Sequence, residues 1–342
     1  MSLHLLRGTV QHYAWGDTTA IPRWMNQPTD GRPWAELWFG THRNGATTLR
    51  DSDDALSSMA GNLPYLVKLL AAAQPLSLQT HPSAEQAAEG FSRETSAGIA
   101  LDDPRRIYVD ASPKPEFVYA LDEFEAVCGF LPADVAIGAC RSAGADALGD
   151  HLQSHGLAAT VRDVIAGSHT FTASRPPAHL AAIARHHPGD PCTIIALLMH
   201  HVTLSPGDTL FLESGNVHAY LRGTAIEVMS SSDNVVRAAF TSKHVDVDEF
   251  LRVGTLAPTA PVRPVAEQRS NPAALTYRIA EAPFVIDVVG VAGETTWTVP
   301  RGGAIVVPAV GAIDSLPHTA AFADEGVVQL HGQGTVLIVS GA

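Results

Sequence analysis

Glycines and prolines divide the first ~125 residues into short aromatic and β-branched runs, a pattern typical of strands joined by tight turns. Clear breaks occur at residues 15–17, 44–45 and 61–64. One helix is expected within this region, because Ser83 is a good capping residue directly after a proline and Gly90 is expected to end the helix. The N-terminal third is therefore predicted to be mainly β.

The middle of the chain has a different character. Residues 132–188 are rich in alanine with helical spacing, most clearly at 133–137 and 178–184, and this predicts a helical insert. The β pattern returns at Cys192, where the apolar run 193–199 is interpreted as a buried strand. A turn at 205–208 then leads into a strand at 209–212 and on to His218.

A proline-rich link at 257–264 precedes a stretch rich in Val, Ile, Thr and Gly, which predicts several short strands in another β unit. A chain of 342 residues exceeds what one hydrophobic core usually supports. The predicted organisation is a catalytic core at 1–130 and 190–256, a helical insert at 131–189, and a C-terminal β domain at 257–342.

Composition excludes several classes of protein. Hydrophobic residues make up 46% and charged residues 17% of the chain, so a disordered protein is excluded. The formal net charge of −13 argues against nucleic acid or an anionic membrane as a partner. No signal peptide or membrane-spanning run is visible, and three widely spaced cysteines do not form a disulfide framework. A soluble protein of the cytoplasm is expected.

The first candidate site segment is residues 75–82, where apolar and polar residues alternate. On a strand every second residue shares a face, so Ser77, Gln79 and His81 would point the same way. The segment therefore offers an amide oxygen and an imidazole to one pocket. A polar outer face on a half-exposed strand explains the same pattern.

A second candidate segment places Lys114 and Glu116 on either side of Pro115, just before the strand-like residues 117–120. Proline favours extended backbone, so the ammonium and the carboxylate would project on one side. An ordinary surface ion pair remains the alternative.

The third candidate, His218, lies beside a glycine turn near a predicted strand. Two imidazoles, a carboxylate and an amide oxygen form a set that suits zinc, provided that three separate segments meet.

A fourth segment, residues 223–243, is dense in polar residues. Glu227, Asp233 and Asn234 are candidates to orient metal ligands, and Arg237 and Lys243 carry the charge that a phosphate requires. A turn at 230–234 with solvated flanking charges is the alternative interpretation.

Taken together, these segments resemble the type I phosphomannose isomerases, the zinc-dependent mannose-6-phosphate isomerases with a cupin core. The resemblance covers about residues 1–255 apart from the helical insert, and its most specific elements are the runs at 74–82 and 232–238. The matching stretches are YAWG (13–16), AELWFGTH (35–42), LPYLVKLL (63–70), QPLSLQTHP (74–82), KPE (114–116), HAYL (218–221) and residues 227–243.

The resemblance implies a mainly β fold of cupin (jelly-roll) barrels with a helical insert, and interconversion of mannose 6-phosphate and fructose 6-phosphate through an enediol. It also implies one Zn²⁺ per chain, a phosphorylated hexose as the substrate and a monomeric enzyme. The implied zinc ligands are Gln79, His81, Glu116 and His218. The implied catalytic residues are Arg237, Lys114 and Glu227, and the residues expected to line the substrate pocket are Lys68, Ser77, Tyr220, Asp233 and Lys243.

One position departs from the family pattern. Pro113 stands where the family usually has a histidine before Lys-Pro-Glu. The proton carrier is therefore left open between Glu227, Lys114 and His81. Two alternatives to an isomerase are also left open, namely an iron-dependent dioxygenase of the cupin class and a non-catalytic sugar-binding cupin.

Overall fold

The computed structural model of the chain describes residues 2–342. Its strands are β1 (Leu3–Arg7), β2 (Thr9–Gln11), β3 (Glu36–Gly40), β4 (Thr48–Leu49), β5 (Tyr65–Ala72), β6 (Leu78–Thr80), β7 (Glu116–Ala120), β8 (Phe124–Phe130), β9 (Met199–Leu204), β10 (Thr209–Leu212), β11 (His218–Ser230), β12 (Val236–Ala239), β13 (Glu267–Ser270), β14 (Ala273–Arg278), β15 (Phe284–Val299), β16 (Ala304–Ile313), β17 (Ala321–Ala323) and β18 (Gly326–Gly341). Its helices are α1 (Ala20–Trp24), α2 (Ser57–Ala60), α3 (Ala84–Ser96), α4 (Ala133–Ser142), α5 (Asp146–His155), α6 (Leu157–Ile165), α7 (Ala178–His186) and α8 (Val247–Val253), with a 3₁₀ helix at Pro191–Leu198.

The strands form two antiparallel sheets. The first has the order β10-β7-β11-β5-β3-β2, and strands β6, β8, β9 and β12 join it through β11. The second has the order β13-β14-β15-β18-β16-β17-β1-β4. The chain is therefore mainly β, as predicted.

A shared core joins the first sheet to the second. Phe39 and Ile226 of the first sheet lie in one buried cluster with Phe284 and Ile305 of the second. Alternate residues of a strand face opposite ways. The residues on the opposite face of the first sheet therefore point away from this shared core and line an interior of their own. Strand β1 also pairs with β17, so the N-terminal residues hydrogen-bond to the C-terminal sheet.

The helical content of the middle segment agrees with the prediction, since α4 to α7 lie between residues 133 and 186. The predicted strand at 193–199 is wrong, because these residues form the 3₁₀ helix and only Met199 begins a strand. The Asp190 side chain accepts a hydrogen bond from the N–H of Cys192, and Pro191 occupies the first turn, so both favour a helical start. A short apolar run cannot by itself distinguish a buried strand from a buried helix.

Helix α3 begins as predicted but ends later. The Ser83 hydroxyl accepts from the N–H of Gln86, whose side chain accepts in return from the N–H of Ser83. The prediction that Gly90 ends the helix is wrong, because α3 continues to Ser96. A Cβ at Gly90 would lie 2.5 Å from the ring of Tyr108, so the glycine makes room for that ring inside the helix.

The C-terminal residues form a β unit, as predicted, but not only from short strands. Strands β15 and β18 each have 16 residues and pair along their whole length. Within residues 2–342, no helix has the length and apolar character needed to cross a bilayer. The division of the chain at residues 130, 190 and 257 stays a prediction.

Two helix glycines give a matched test of the contact between α3 and Tyr108. Gly90→Ala should lower the free energy of unfolding by about 1–3 kcal/mol, because the added methyl group collides with a buried ring. Gly138→Ala in α4 meets open space and should raise it by up to about 1 kcal/mol, since alanine has the higher helix propensity. Urea unfolding of both variants measures these changes in the free energy of unfolding. If the two substitutions stabilise the protein equally, the predicted collision with the Tyr108 ring is wrong.

Candidate metal centre

Three side chains of the types that bind metal ions lie close together in the interior formed by the strands of the first sheet. His81, Glu116 and His218 are 0%, 1% and 1% exposed, and one ligand atom of each lies within 4.8 Å of the others. His81 Nε2 is 3.1 Å from Glu116 Oε1, and His218 Nε2 is 3.6 Å from Glu116 Oε2. The separated segments noted in the sequence therefore converge on one carboxylate.

Strand register brings further predicted residues alongside. His218 pairs with Gln79 across β11 and β6, and Gln79 pairs with Arg237 across β6 and β12. Residues directly opposite each other in an antiparallel ladder share a face, with Cβ atoms about 5 Å apart. Gln79 also accepts a hydrogen bond from the hydroxyl of Ser77 at 3.0 Å.

Backbone carbonyls determine which nitrogen of each imidazole carries the proton. His81 Nδ1 is 2.8 Å from the carbonyl oxygen of Asn234, and His218 Nδ1 is 3.1 Å from that of Asn216. A carbonyl only accepts, so both Nδ1 atoms donate, and in a neutral imidazole the Nε2 atom then keeps a lone pair. Neither buried Nε2 atom has a hydrogen-bond partner.

The residues present fit a divalent metal ion. Two unpaired imidazole nitrogens and a carboxylate, with an amide oxygen nearby, form the nitrogen and oxygen set that zinc prefers. Burial, followed by the charge of Lys114, lowers the pKa of His81 to about 4, which keeps the imidazole neutral. Burial alone would raise the pKa of Glu116, but Lys114, at 2.7 Å, helps to hold it well below its usual range.

A buried network of charges continues from the carboxylate of Glu116. The Tyr220 hydroxyl lies 3.1 Å from Glu116 Oε2 and 3.0 Å from Glu227 Oε1, and its single proton can satisfy only one of them at a time. Burial and the charge of Glu116 raise the pKa of Glu227, although Lys68 opposes the shift. Glu227 Oε2 has no hydrogen bond of good geometry, although Lys68 Nζ is 3.1 Å away.

Lys68 links this network to two residues that the sequence reasoning did not single out. Its ammonium group lies 3.5 Å from Glu36 Oε1 and 5.1 Å from the centre of the Trp38 ring. The indole N–H of Trp38 in turn donates to Glu36 at 2.7 Å. The signal in the sequence was that Glu36 and Trp38 are two positions apart and therefore share one face of a strand. That strand pairs with β5, where Trp38 lies opposite Lys68.

The remaining predicted residues lie toward the surface. Burial lowers the pKa of Arg237, and burial followed by the charge of Arg237 lowers that of Lys243, whose ammonium lies 5.5 Å from the Tyr13 ring. Asp233 accepts a hydrogen bond from the Asn44 side chain at 2.7 Å, with His42 Nε2 at 3.4 Å. Of these two basic residues, Arg237 lies directly opposite Gln79 in the strand ladder, whereas Lys243 follows the end of β12.

Asn234 organises the wall behind His81. Its side-chain oxygen accepts from the N–H of Val109 at 2.9 Å, and its amide group donates to the carbonyls of Asp110 and Ser112, both at 2.9 Å. The same residue presents the carbonyl that orients His81. The sequence suggested an orienting role for Asn234, whereas nothing marked the carbonyl of Asn216.

Known proteins that are similar in sequence belong to one family of enzymes. A family model described as phosphomannose isomerase type I, catalytic domain, matches residues 3–133. Mannose-6-phosphate isomerase from Salmonella typhimurium is 33% identical over 308 residues, which cover 77% of this chain and 79% of that protein. The enzyme of the same name from Homo sapiens is 28% identical, over 73% of this chain and 72% of its own length.

Solved structures agree over the whole chain. The apo form of mannose 6-phosphate isomerase from Salmonella typhimurium has a TM-score of 0.86 at 28% identity, covering 100% of this chain and 99% of that one. A zinc-bound holo form of mannose 6-phosphate isomerase has a TM-score of 0.85 at 28% identity, covering 100% of both chains. These likenesses confirm the predicted cupin class. The chain belongs to the type I phosphomannose isomerase family.

Proposed function

We propose that this protein is a zinc-dependent aldose–ketose isomerase that interconverts mannose 6-phosphate and fructose 6-phosphate through an enediol. The observation that carries the proposal is the pair of buried, unpartnered imidazole nitrogens facing Glu116, beside a buried network of lysines and carboxylates. Its relatives are named as mannose-6-phosphate isomerases, and a zinc-bound structure of that enzyme has the same fold. Neither a dioxygenase nor a non-catalytic cupin is favoured by these likenesses.

Gln79, His81, Glu116 and His218 are the residues proposed to hold the zinc ion. When bound there, zinc supplies a Lewis acid that polarises the sugar oxygens and offsets negative charge developing on them. The carbonyls of Asn234 and Asn216 hold the two imidazoles in the tautomer that this requires.

Isomerisation moves a proton between C2 and C1, and Glu227 is the residue proposed to carry it. His81 is unsuited, because its Nδ1 donates to a carbonyl and its Nε2 would bind the metal ion. Lys114 forms a 2.7 Å ion pair with Glu116, which suits it to stabilising negative charge on the enediolate. Glu227 keeps one buried oxygen free of good hydrogen bonds, and its raised pKa suits a group that must gain and lose a proton.

Arg237 is proposed to bind the phosphate group or to neutralise the enediolate, with help from Lys243. Lys68, Ser77, Tyr220 and Asp233 would complete the substrate pocket. A cluster of this kind is needed because the chain as a whole carries a net charge of −13 and would repel an anionic sugar.

We further propose that the enzyme acts as a monomer in the cytoplasm. All the residues assigned to the site come from one chain, so none must be supplied by a partner. The three cysteines are free and buried, which suits a reducing compartment.

Removing a ligand should remove the metal. Gln79→Ala and His218→Ala are expected to weaken zinc binding by at least about 100-fold, more than the loss of an orienting residue behind a ligand. Zinc content after dialysis and production of fructose 6-phosphate would be measured together. His331→Ala, at an exposed position on strand β18, is the matched control and should keep both. Retained zinc and activity in both site variants would refute the assignment.

Glu227→Gln should separate proton transfer from metal binding. The amide preserves the shape of the side chain but cannot take the proton, so kcat should fall by about 10²–10⁴-fold. Zinc content should stay at the wild-type level, because Glu227 is not assigned as a ligand. A variant that loses zinc together with activity would place Glu227 in the metal site, and unchanged kcat would exclude it as the proton carrier.

Arg237→Ala is expected to lower kcat/KM for mannose 6-phosphate by at least about 100-fold, since a charge-assisted contact to the substrate is lost. Steady-state kinetics on zinc-loaded enzyme measures the effect, with Arg23→Ala on α1 as the control. Normal turnover of mannose 6-phosphate by the Arg237 variant would overturn the assignment.

A further inference from the structure

A second group of ligand-type side chains lies in the helical insert, on elements that carry none of the metal-centre residues. It consists of His151 on α5, Asp163 on α6 and His169 in the loop after α6, and is called here the insert cluster. One ligand atom of each residue lies within 4.8 Å of the others, as in the metal centre. His151 Nε2 is 3.3 Å and His169 Nδ1 is 3.9 Å from the same oxygen, Asp163 Oδ2.

The tautomer of His151 follows from its neighbours. The Thr160 hydroxyl donates its only proton to the carbonyl of Gly156 at 2.8 Å. It can therefore only accept from His151 Nδ1, which lies 3.1 Å away. In the neutral ring, the lone pair of His151 Nε2 is then left facing the carboxylate of Asp163, so that two acceptors face each other across 3.3 Å. A cation between them resolves this conflict.

The third side chain is held in place by backbone and ring contacts. The N–H groups of Ser168 and His169 both donate to the carbonyl of Asp163, at 2.9 and 3.1 Å. The His169 ring stacks on Phe171, with a centroid distance of 6.1 Å and an interplanar angle of 9°. This loop therefore presents a second imidazole to the same carboxylate oxygen.

The spacing suits a small divalent ion. Ligand bonds of 2.0–2.2 Å in a tetrahedral zinc site place neighbouring ligand atoms about 3.3–3.6 Å apart. The 3.3 Å separation between His151 and Asp163 already lies in this range, and His169, at 3.9 Å, needs only a modest side-chain adjustment. The side chain of His151 is 10% exposed and that of His169 is 52% exposed, so an ion can enter and water can complete its shell.

A simple histidine–aspartate ion pair explains less of this arrangement. Such a pair needs one imidazolium, whereas two imidazoles share one carboxylate oxygen here. If both were protonated they would repel each other, since their ring centres lie 4.8 Å apart. A metal ion accepts lone pairs from both rings while each stays neutral.

We propose that His151, Asp163 and His169 bind a second divalent ion of the zinc class, which ties α5 to α6 and to the loop that follows it. This site is separate from the catalytic zinc and does not depend on the function proposed above. Bound only by the folded insert, the ion would stabilise the protein by a free energy that increases with the logarithm of its free concentration.

Equilibrium dialysis of the zinc-loaded enzyme against micromolar Zn²⁺ tests the proposal. The wild-type chain should bind two ions, and His169→Ala and Asp163→Asn should each bind one, with the second affinity weakened at least about 100-fold. Isomerase activity should be unchanged in both variants, since the insert cluster lies outside the catalytic site. His186→Ala, an exposed histidine on α7 of the same insert, is the matched control and should still bind two.

The melting temperature gives an independent measurement. Added zinc should raise it by more for the wild type and for His186→Ala than for His169→Ala, which keeps only the metal centre. A wild-type chain that binds only one ion would overturn the proposal. So would a second ion that survives in both His169→Ala and Asp163→Asn. Loss of the first ion or of activity would instead count against the metal centre, so the failure of one proposal can be told from the failure of the other.

Discussion

The course of strand β11 governs the rest of the site. Its first residues pair with β6 and β8, and residues 223–230 pair with β5 and β7, so one strand belongs to both walls of the interior. The change of direction falls at Gly223, which has φ +112° and where a Cβ would lie 2.6 Å from the carbonyl oxygen of Glu123. This bend brings Tyr220 within 3.0 Å of Glu227, and it places His218 and Glu227 in one cavity although nine positions separate them.

The buried charges explain why this cavity suits a cation. Three carboxylates (Glu36, Glu116 and Glu227) and two ammonium groups (Lys68 and Lys114) are almost fully buried together. Isolated charges in such a place are costly, and each lysine here is paired with at least one carboxylate. A divalent ion would offset the excess of negative charge and accept the lone pairs of the two imidazoles. The basic residues at the rim, Arg237 and Lys243, are proposed to provide a local attraction for an anionic substrate despite the acidic chain.

The sequence indicated the candidate ligands more readily than the groups that support them. Gln79, His81, Glu116 and His218 stood out because they are ligand-type residues in a recognisable order, and the structure brings them close together. The orienting carbonyl of Asn216 carries no side-chain signal, and Glu36 becomes relevant only through the pairing of β3 with β5. The insert cluster escaped notice because its three residues look like ordinary surface groups until α5 and α6 pack together. The errors at Gly90 and at 193–199 have the same origin, since tertiary packing decided what local preference could not.

X-ray diffraction at the zinc absorption edge, from crystals of the zinc-loaded protein, tests the central claim most directly. The account predicts an anomalous peak about 2.0–2.2 Å from the Nε2 atoms of His81 and His218 and from a carboxylate oxygen of Glu116, with the amide oxygen of Gln79 also in the shell. It further predicts that both Nδ1 atoms keep their bonds to backbone carbonyls. A peak that lacks Glu116 among its ligands, or imidazoles that bind through Nδ1, would contradict it.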